Sequence, residues 1–192
     1  MYKQLKNRGV LFASAVGLLA VVALVQCFSE PGNGEPVTWY PDFETPFQCL
    51  SNMLYTYEHY RDEPNIIDKY KLVLDPQYVF YFDPEDVGTW VEDYQIPTSW
   101  TYEEDCMATN NMFNLAYSIA LEIPILGLGE EYFGTPGEED TKFPKNNVTI
   151  NLLLMVDETN GFQATGFCDF EFAKNENGEW HLSVWRDRTA SG

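Results

Sequence analysis

The stretch "DFEFAKNENGEWHLSVWRD", residues 169–187, gathers Asp169, Glu171, His181 and Asp187 around one tight turn. A carboxylate beside an imidazole is the usual equipment of general acid–base catalysis. The same residues alternate with apolar neighbours, which is also how the wet side of a β-hairpin reads. A second set lies upstream. Tyr55, Tyr57 and Tyr60 occupy one helical segment, and Asp83, Glu85 and Asp86 follow a short apolar run. Tyr57 as hydrogen-bond donor and Asp83 as base are the candidates for catalysis, although tyrosine at helical spacing is commonly core. His59 and His181 are the only imidazoles, and there is no CxxC or Cys/His cluster. "DPEDVG" at 83–88 lacks the alternating ligands and closing glutamate of a calcium loop. Neither a metal nor a cofactor is implied.

The elements that must position these groups can be read in order. Thr45 as N-cap and Pro46 in the first turn open a helix with Phe47, Leu50, Leu54, Tyr57 and Tyr60 on one face. Pro64 and Asn65 start a short second helix, with Ile67, Tyr70 and Leu74 inward. "QYVFYF", 77–82, is a strand. A third helix begins near Thr98 or Ser99, where Glu103 or Glu104 can complete a cap, and runs to about Phe113. Residues 115–126 read as a strand confined at its end by Pro124. Residues 127–147 read as an acidic loop. Strands at about 148–157, 162–173 and 179–187 close the chain, turned at Asn160-Gly161 and Asn177-Gly178.

Register decides which face each side chain occupies, because a slip of one residue reverses them all. Placing Phe172 opposite Trp180 and Val156 opposite Phe162 makes one face almost wholly apolar across three strands. The other face then carries Glu171 opposite His181, Asp169 opposite Ser183, and Asp187. On that reading the acid–imidazole pair is a solvated cross-strand contact worth about 0.2–1 kcal/mol, and the inner face has no carboxylate or imidazole. Leu153, Met155, Phe167 and Trp185 form an apolar cluster on the outer face, with Phe167 opposite Trp185. Such a cluster suggests a contact surface, unless the 127–147 loop, with Tyr132 and Phe133, covers it.

Helix, helix, strand, helix and four long strands, ending in "NGEWHLSVWRD", resembles the nuclear transport factor 2-like superfamily, which includes ketosteroid isomerases. The resemblance covers about residues 45–188. It implies an α+β fold in which three N-terminal helices pack on a strongly curved, mostly antiparallel sheet, shaped as a cone. In the enzymes that this chain resembles, catalytic acids project into the cone and a tyrosine donates a hydrogen bond there. Members often dimerise through the outer sheet face.

The N-terminal segment reads as an export signal or anchor. Lys3, Lys6 and Arg8 precede an uncharged run from Val10 to Val25, the pattern of an export signal. "LVQC", Leu24 to Cys27, resembles a bacterial lipobox with Cys27 as the acylated residue, although Gln26 departs from the small residue expected there. The alternatives are an uncleaved anchor, since the run approaches the length that spans a bilayer, and a cut elsewhere. All three place the body outside the cytoplasmic membrane. Residues 28–44, with Pro31, Gly32, Asn33, Gly34 and Pro36, read as a tether of at most about 55 Å. Residues 189–192 are a tail.

The formal charge is −19. Removing residues 1–26 takes away Lys3, Lys6 and Arg8 and no acid, which leaves 8 basic against 30 acidic residues, or −22. Nucleic acid is thereby excluded as a partner. The "EED" runs at 103–105 and 138–140 read as solvated faces. With Cys27 lipidated, Cys49, Cys106 and Cys168 allow one disulfide and leave one thiol.

The expected protein is an exported, lipid-anchored, non-catalytic binding or assembly module of the bacterial cell envelope, in the periplasm or on the outer membrane. Its partners would be the membrane, a small apolar ligand in the cone, and a second copy or an envelope protein on the sheet face. The alternative is an isomerase or lyase of ketosteroid-isomerase type.

Overall fold

A computed structural model describes residues 38–91 and 93–189. The leader, Cys27 and the first part of the tether lie outside the described residues. Within the described residues no helix is long and apolar enough to cross a membrane.

Helix α1, Pro46–Glu58, starts where Thr45 accepts the Gln48 N–H through its side chain and Pro46 occupies the first turn. Helix α2, Ile66–Val73, buries Ile66, Tyr70 and Val73. The chain continues without a loop into β1, Leu74–Tyr81. That early start takes Leu74 out of the helix. Two short strands, β2 (Trp90–Val91) and β3 (Tyr94–Gln95), make a separate small ribbon. Strand β4, Ser99–Thr101, leads into α3, Tyr102–Leu115. Thr101 and Glu104 form a reciprocal capping box, so two otherwise unpaired backbone N–H groups are satisfied at this helix start.

Strand β5 is shorter than expected, Ser118–Glu122, because Pro124 opens a 3-10 turn over Pro124–Leu128. The acidic loop contains a fourth helix, α4, Glu130–Phe133, which drives Phe133 into the core. Long strands β6 (Lys142–Met155), β7 (Gly161–Lys174) and β8 (Trp180–Thr189) follow. The six-stranded sheet has the order β4-β1-β8-β7-β6-β5, with only β1 and β8 parallel. It is an α+β architecture of helices on a curved, mostly antiparallel sheet.

Trp39, Tyr40 and Phe43, assigned by sequence to the tether, are packed against the domain. The Asn52 side chain, fully buried in α1, accepts from the Tyr40 N–H and donates to its carbonyl, both at 2.7 Å. Phe43 accepts the Trp180 N–H on its carbonyl at 2.8 Å and stacks on His181. The chain therefore enters the domain at the start of β8.

Register departs from expectation in two ways. Between β6 and β7 the pairs are Leu154 with Phe162, Leu152 with Ala164 and Ile150 with Gly166. This is a shift of two, which preserves the face: Val148, Ile150, Leu152 and Leu154 are all buried. Between β7 and β8, Phe172 pairs with Leu182 but Glu171 pairs with Val184. Ser183 is the extra residue, and its hydroxyl is tied to the Glu171 carbonyl at 2.9 Å. A one-residue bulge reverses every later side chain. From there β8 points Trp185 and Asp187 into the core, each 5% exposed.

Candidate functional site

Both sequence-derived surface clusters dissolve, the acid–imidazole pair through a two-residue shift of β8 along β7, with Phe172 opposite Leu182 rather than Trp180, and the apolar one through the reversal. Glu171 does not meet His181; it pairs with Lys142 at 3.0 Å. His181 lies opposite Ala173, with Nδ1 2.9 Å from the Leu72 carbonyl and Nε2 3.0 Å from the Asn175 side-chain amide. A ring that donates from Nδ1 and accepts at Nε2 satisfies both contacts, so this histidine ties the last hairpin to α2. Asp169 binds Arg188 at 2.8 Å and the Asn147 N–H. These residues build the fold.

Of the outer-face cluster, Trp185 is inside. Phe167 is 41% exposed, but it lies opposite Thr149, four residues along β6 from Leu153. At about 3.4 Å per residue, that separates it from Leu153 by roughly 13 Å. Leu153 and Met155 are half-buried.

Inside the cone, the structure assembles a group that the sequence reading missed. Tyr57 comes from α1, Tyr70 from α2, Tyr78 from β1 and Asp105 from α3, and all four are buried. Tyr70 donates to Asp105 Oδ2 at 2.7 Å. Burial, and after it the charge of Asp105, holds the Tyr57 hydroxyl well above the ordinary tyrosine range, against the opposing pull of Thr109 and Tyr70. Burial pushes Asp105 up to about 7, against the opposing pull of the Tyr70 and Tyr78 hydroxyls. Tyr78 Oη is close enough to act on that carboxyl but has no partner in hydrogen-bonding geometry among the described residues. The expectation that the cone holds no carboxylate, and that "EED" at 103–105 is a solvated face, is therefore corrected at Asp105. A signal was present: Asp105, Ala108, Thr109 and Met112 share one helical stripe, and all are buried.

The space around this group is small. Tyr57, Tyr70, Asp105, Trp100 and Trp185 border a cavity of about 40 Å3. Phe80 packs on Trp185 and Trp100 with ring centroids 5.6 and 5.9 Å apart, and Phe170 closes on Trp185 at 5.1 Å. The cone is filled by its own aromatic side chains. A cavity of that size takes water and little more.

A second space opens at the rim. The C-terminal ends of β1 and β8 and the loop after β1 border a cleft of about 450 Å3, walled by Tyr81, Phe82, Pro84, Val87 and Thr98. Asp187 lies in its wall between Arg186 and Arg188. Burial, and after it the charges of Asp83 and then Asp86, push the Asp187 carboxyl up to about 8, outweighing hydrogen bonds from the Arg188 backbone and the Cys168 thiol. Asp83, the sequence-predicted base, accepts the Glu85 N–H at 2.8 Å and shapes this turn. The two predicted catalytic candidates are thus separated: Tyr57 lines the inner cavity, and Asp83 lies beside the rim cleft. Among the described residues, no group of three His, Cys, Asp or Glu side chains is placed to hold a metal ion.

In structure, the chain is similar to a protein from Novosphingobium aromaticivorans named for a proposed aromatic ring hydroxylase activity. Identity is 14% and the TM-score 0.54, over 79% of this chain and 90% of that one. It is also similar to a nuclear transport factor 2-like superfamily protein from Salmonella enterica, at 10% identity and a TM-score of 0.50, over 76% and 89%. The fold is nuclear transport factor 2-like. At such identities the likeness carries the fold alone. No protein-family model and no curated protein matches the sequence. In this domain a filled cone lies beside an open rim.

Proposed function

We propose that the chain is an exported, lipid-anchored binding module of the bacterial cell envelope, without chemistry of its own, whose small ligand occupies the rim cleft. One observation carries this reading: the cone retains about 40 Å3 while the cleft beside it offers about 450 Å3, within the range of small-molecule sites. The basic leader, the apolar run and Cys27 support export and anchoring. Chain entry at Phe43 and the cleft at Asp187 lie at opposite ends of β8, about 20 Å apart along the strand. An anchored domain would hold its cleft away from the membrane.

The Tyr70–Asp105 pair favours a second reading, an isomerase or lyase with Asp105 as the proton-transferring group. That reading requires the aromatic filling to part for a substrate.

Native mass spectrometry of the protein processed from the full chain tests the proposal, alongside Val87→Trp and Phe167→Glu. Retained small-molecule mass that Val87→Trp removes supports the cleft. A bare dimer split by Phe167→Glu would move the function to the sheet face. A retained mass lost on Asp105→Asn but not on Val87→Trp would move it into the cone.

A further inference from the structure

The cleft also constrains what it can hold. Its walls are Tyr81, Phe82, Pro84, Val87 and Thr98 with the exposed Arg186 and Arg188, and the acidic group among them is the Asp187 carboxyl, only 5% exposed. The side-chain contact of that carboxyl is the Cys168 thiol, 3.9 Å from Oδ1, which is long and weak. Neither flanking arginine is paired with it. Arg186 lies over the Tyr81 ring at 5.3 Å, and Arg188 is engaged by Asp169 at 2.8 Å and by Asn147. Asp83 and Asp86, from the loop after β1, add negative field at the same point. The site therefore combines largely apolar walls with a deep carboxyl that no cation pairs with among the described residues, in a chain of formal charge −19. A buried carboxylate is strongly favoured by an opposite charge within hydrogen-bonding reach.

Resting on the reading of the cleft as the ligand site, we infer that its ligand is a small amphipathic amine. The ammonium pairs with Asp187 and the apolar body lies against Tyr81, Phe82 and Val87. An anion of the same shape cannot pair with Asp187, feels the negative field of Asp83 and Asp86, and finds Arg186 and Arg188 already engaged by Tyr81 and Asp169, so it binds more weakly. A neutral isostere keeps the wall contacts and loses the charge pair. Because the free carboxyl holds its proton at neutral pH, binding of the ammonium expels that proton to solvent.

The test is calorimetric titration of the processed full-length protein at pH 7 with three probes of one shape: 2-phenylethylamine, 2-phenylethanol and 3-phenylpropionate. The amine is expected to bind at least tenfold more tightly than the alcohol, with the acid weakest. Repeating the titration in buffers of different ionisation enthalpy is expected to show release of up to one proton per amine. Asp187→Asn should abolish the preference for amine over alcohol. Val87→Trp, which leaves the carboxyl intact and fills the cleft, should weaken both. Equal or tighter binding of the alcohol or acid overturns the amine and leaves the cleft standing. So does an amine preference that survives Asp187→Asn in a folded variant. If none of the three probes binds, the amine is overturned; the cleft itself then falls only if native mass spectrometry also finds no retained ligand.

Discussion

Trp185 donates its indole N–H to the Cys168 sulfur at 3.0 Å, inside the cone and across the β7–β8 pair. That contact exists because Ser183 is bulged out of register, which turns Trp185 inward to meet Phe80 and Phe170. The same bulge brings Asp187 to the wall of the rim cleft. One extra residue thus supplies both the plug of the cone and the polar group of the neighbouring cleft.

Trp185→Ala should destabilise the domain by about 3–5 kcal/mol, as expected for truncating a buried aromatic. Phe167→Ser, on the outer face, should change stability by about 0.5 kcal/mol or less. Urea unfolding of both variants checks this. Equal costs would return Trp185 to the surface.

Stability should fall as pH rises from about 4 to 8. Asp105 and Asp187 titrate at about 7 and 8 in the folded chain, against an ordinary value of 3.8. Within that window the folded state holds protons that the unfolded state has lost. Their contribution is complete below the ordinary value and disappears as pH passes through 7 and then 8. Each group adds a slope of at most about 1.4 kcal/mol per pH unit. Asp105→Asn, which keeps an acceptor for Tyr70, should flatten the slope up to pH 7. Urea midpoints from pH 5 to 8 measure it, and an unchanged slope in the variant would contradict the burial argument.

Native thiols should react slowly. Cys49, Cys106 and Cys168 are all buried and none is in a disulfide, so the single bridge that the sequence allowed does not form among them. Burial raises all three, Cys106 to about 11. A thiol reagent at pH 8 should label the native domain at a small fraction of the rate seen in denaturant, where all three react.

Much of the architecture was legible from local chemistry. Thr45 with Pro46 is a cap signal that acts within one helical turn, so α1 follows from neighbouring residues. The sequence places the start of α3 near Thr98 or Ser99, but Ser99–Thr101 pairs with β1 as a strand and the cap is Thr101 with Glu104. The apolar face of β6 and β7 survived a register error of two, because strand parity has a period of two. Sequence could not reveal the bulge at Ser183. What the bulge achieves, Trp185 packed against Phe80 and Phe170, involves side chains from two other strands. Nor could it show Asp105 buried against Tyr70 and Tyr78, since those hydroxyls arrive from different elements. Local patterns determined which elements form and which stripe each presents. Only tertiary packing decided that the cone is filled, that Asp105 and Asp187 are buried, and that a cleft opens at the rim. Volume and burial depend on how distant side chains share one space.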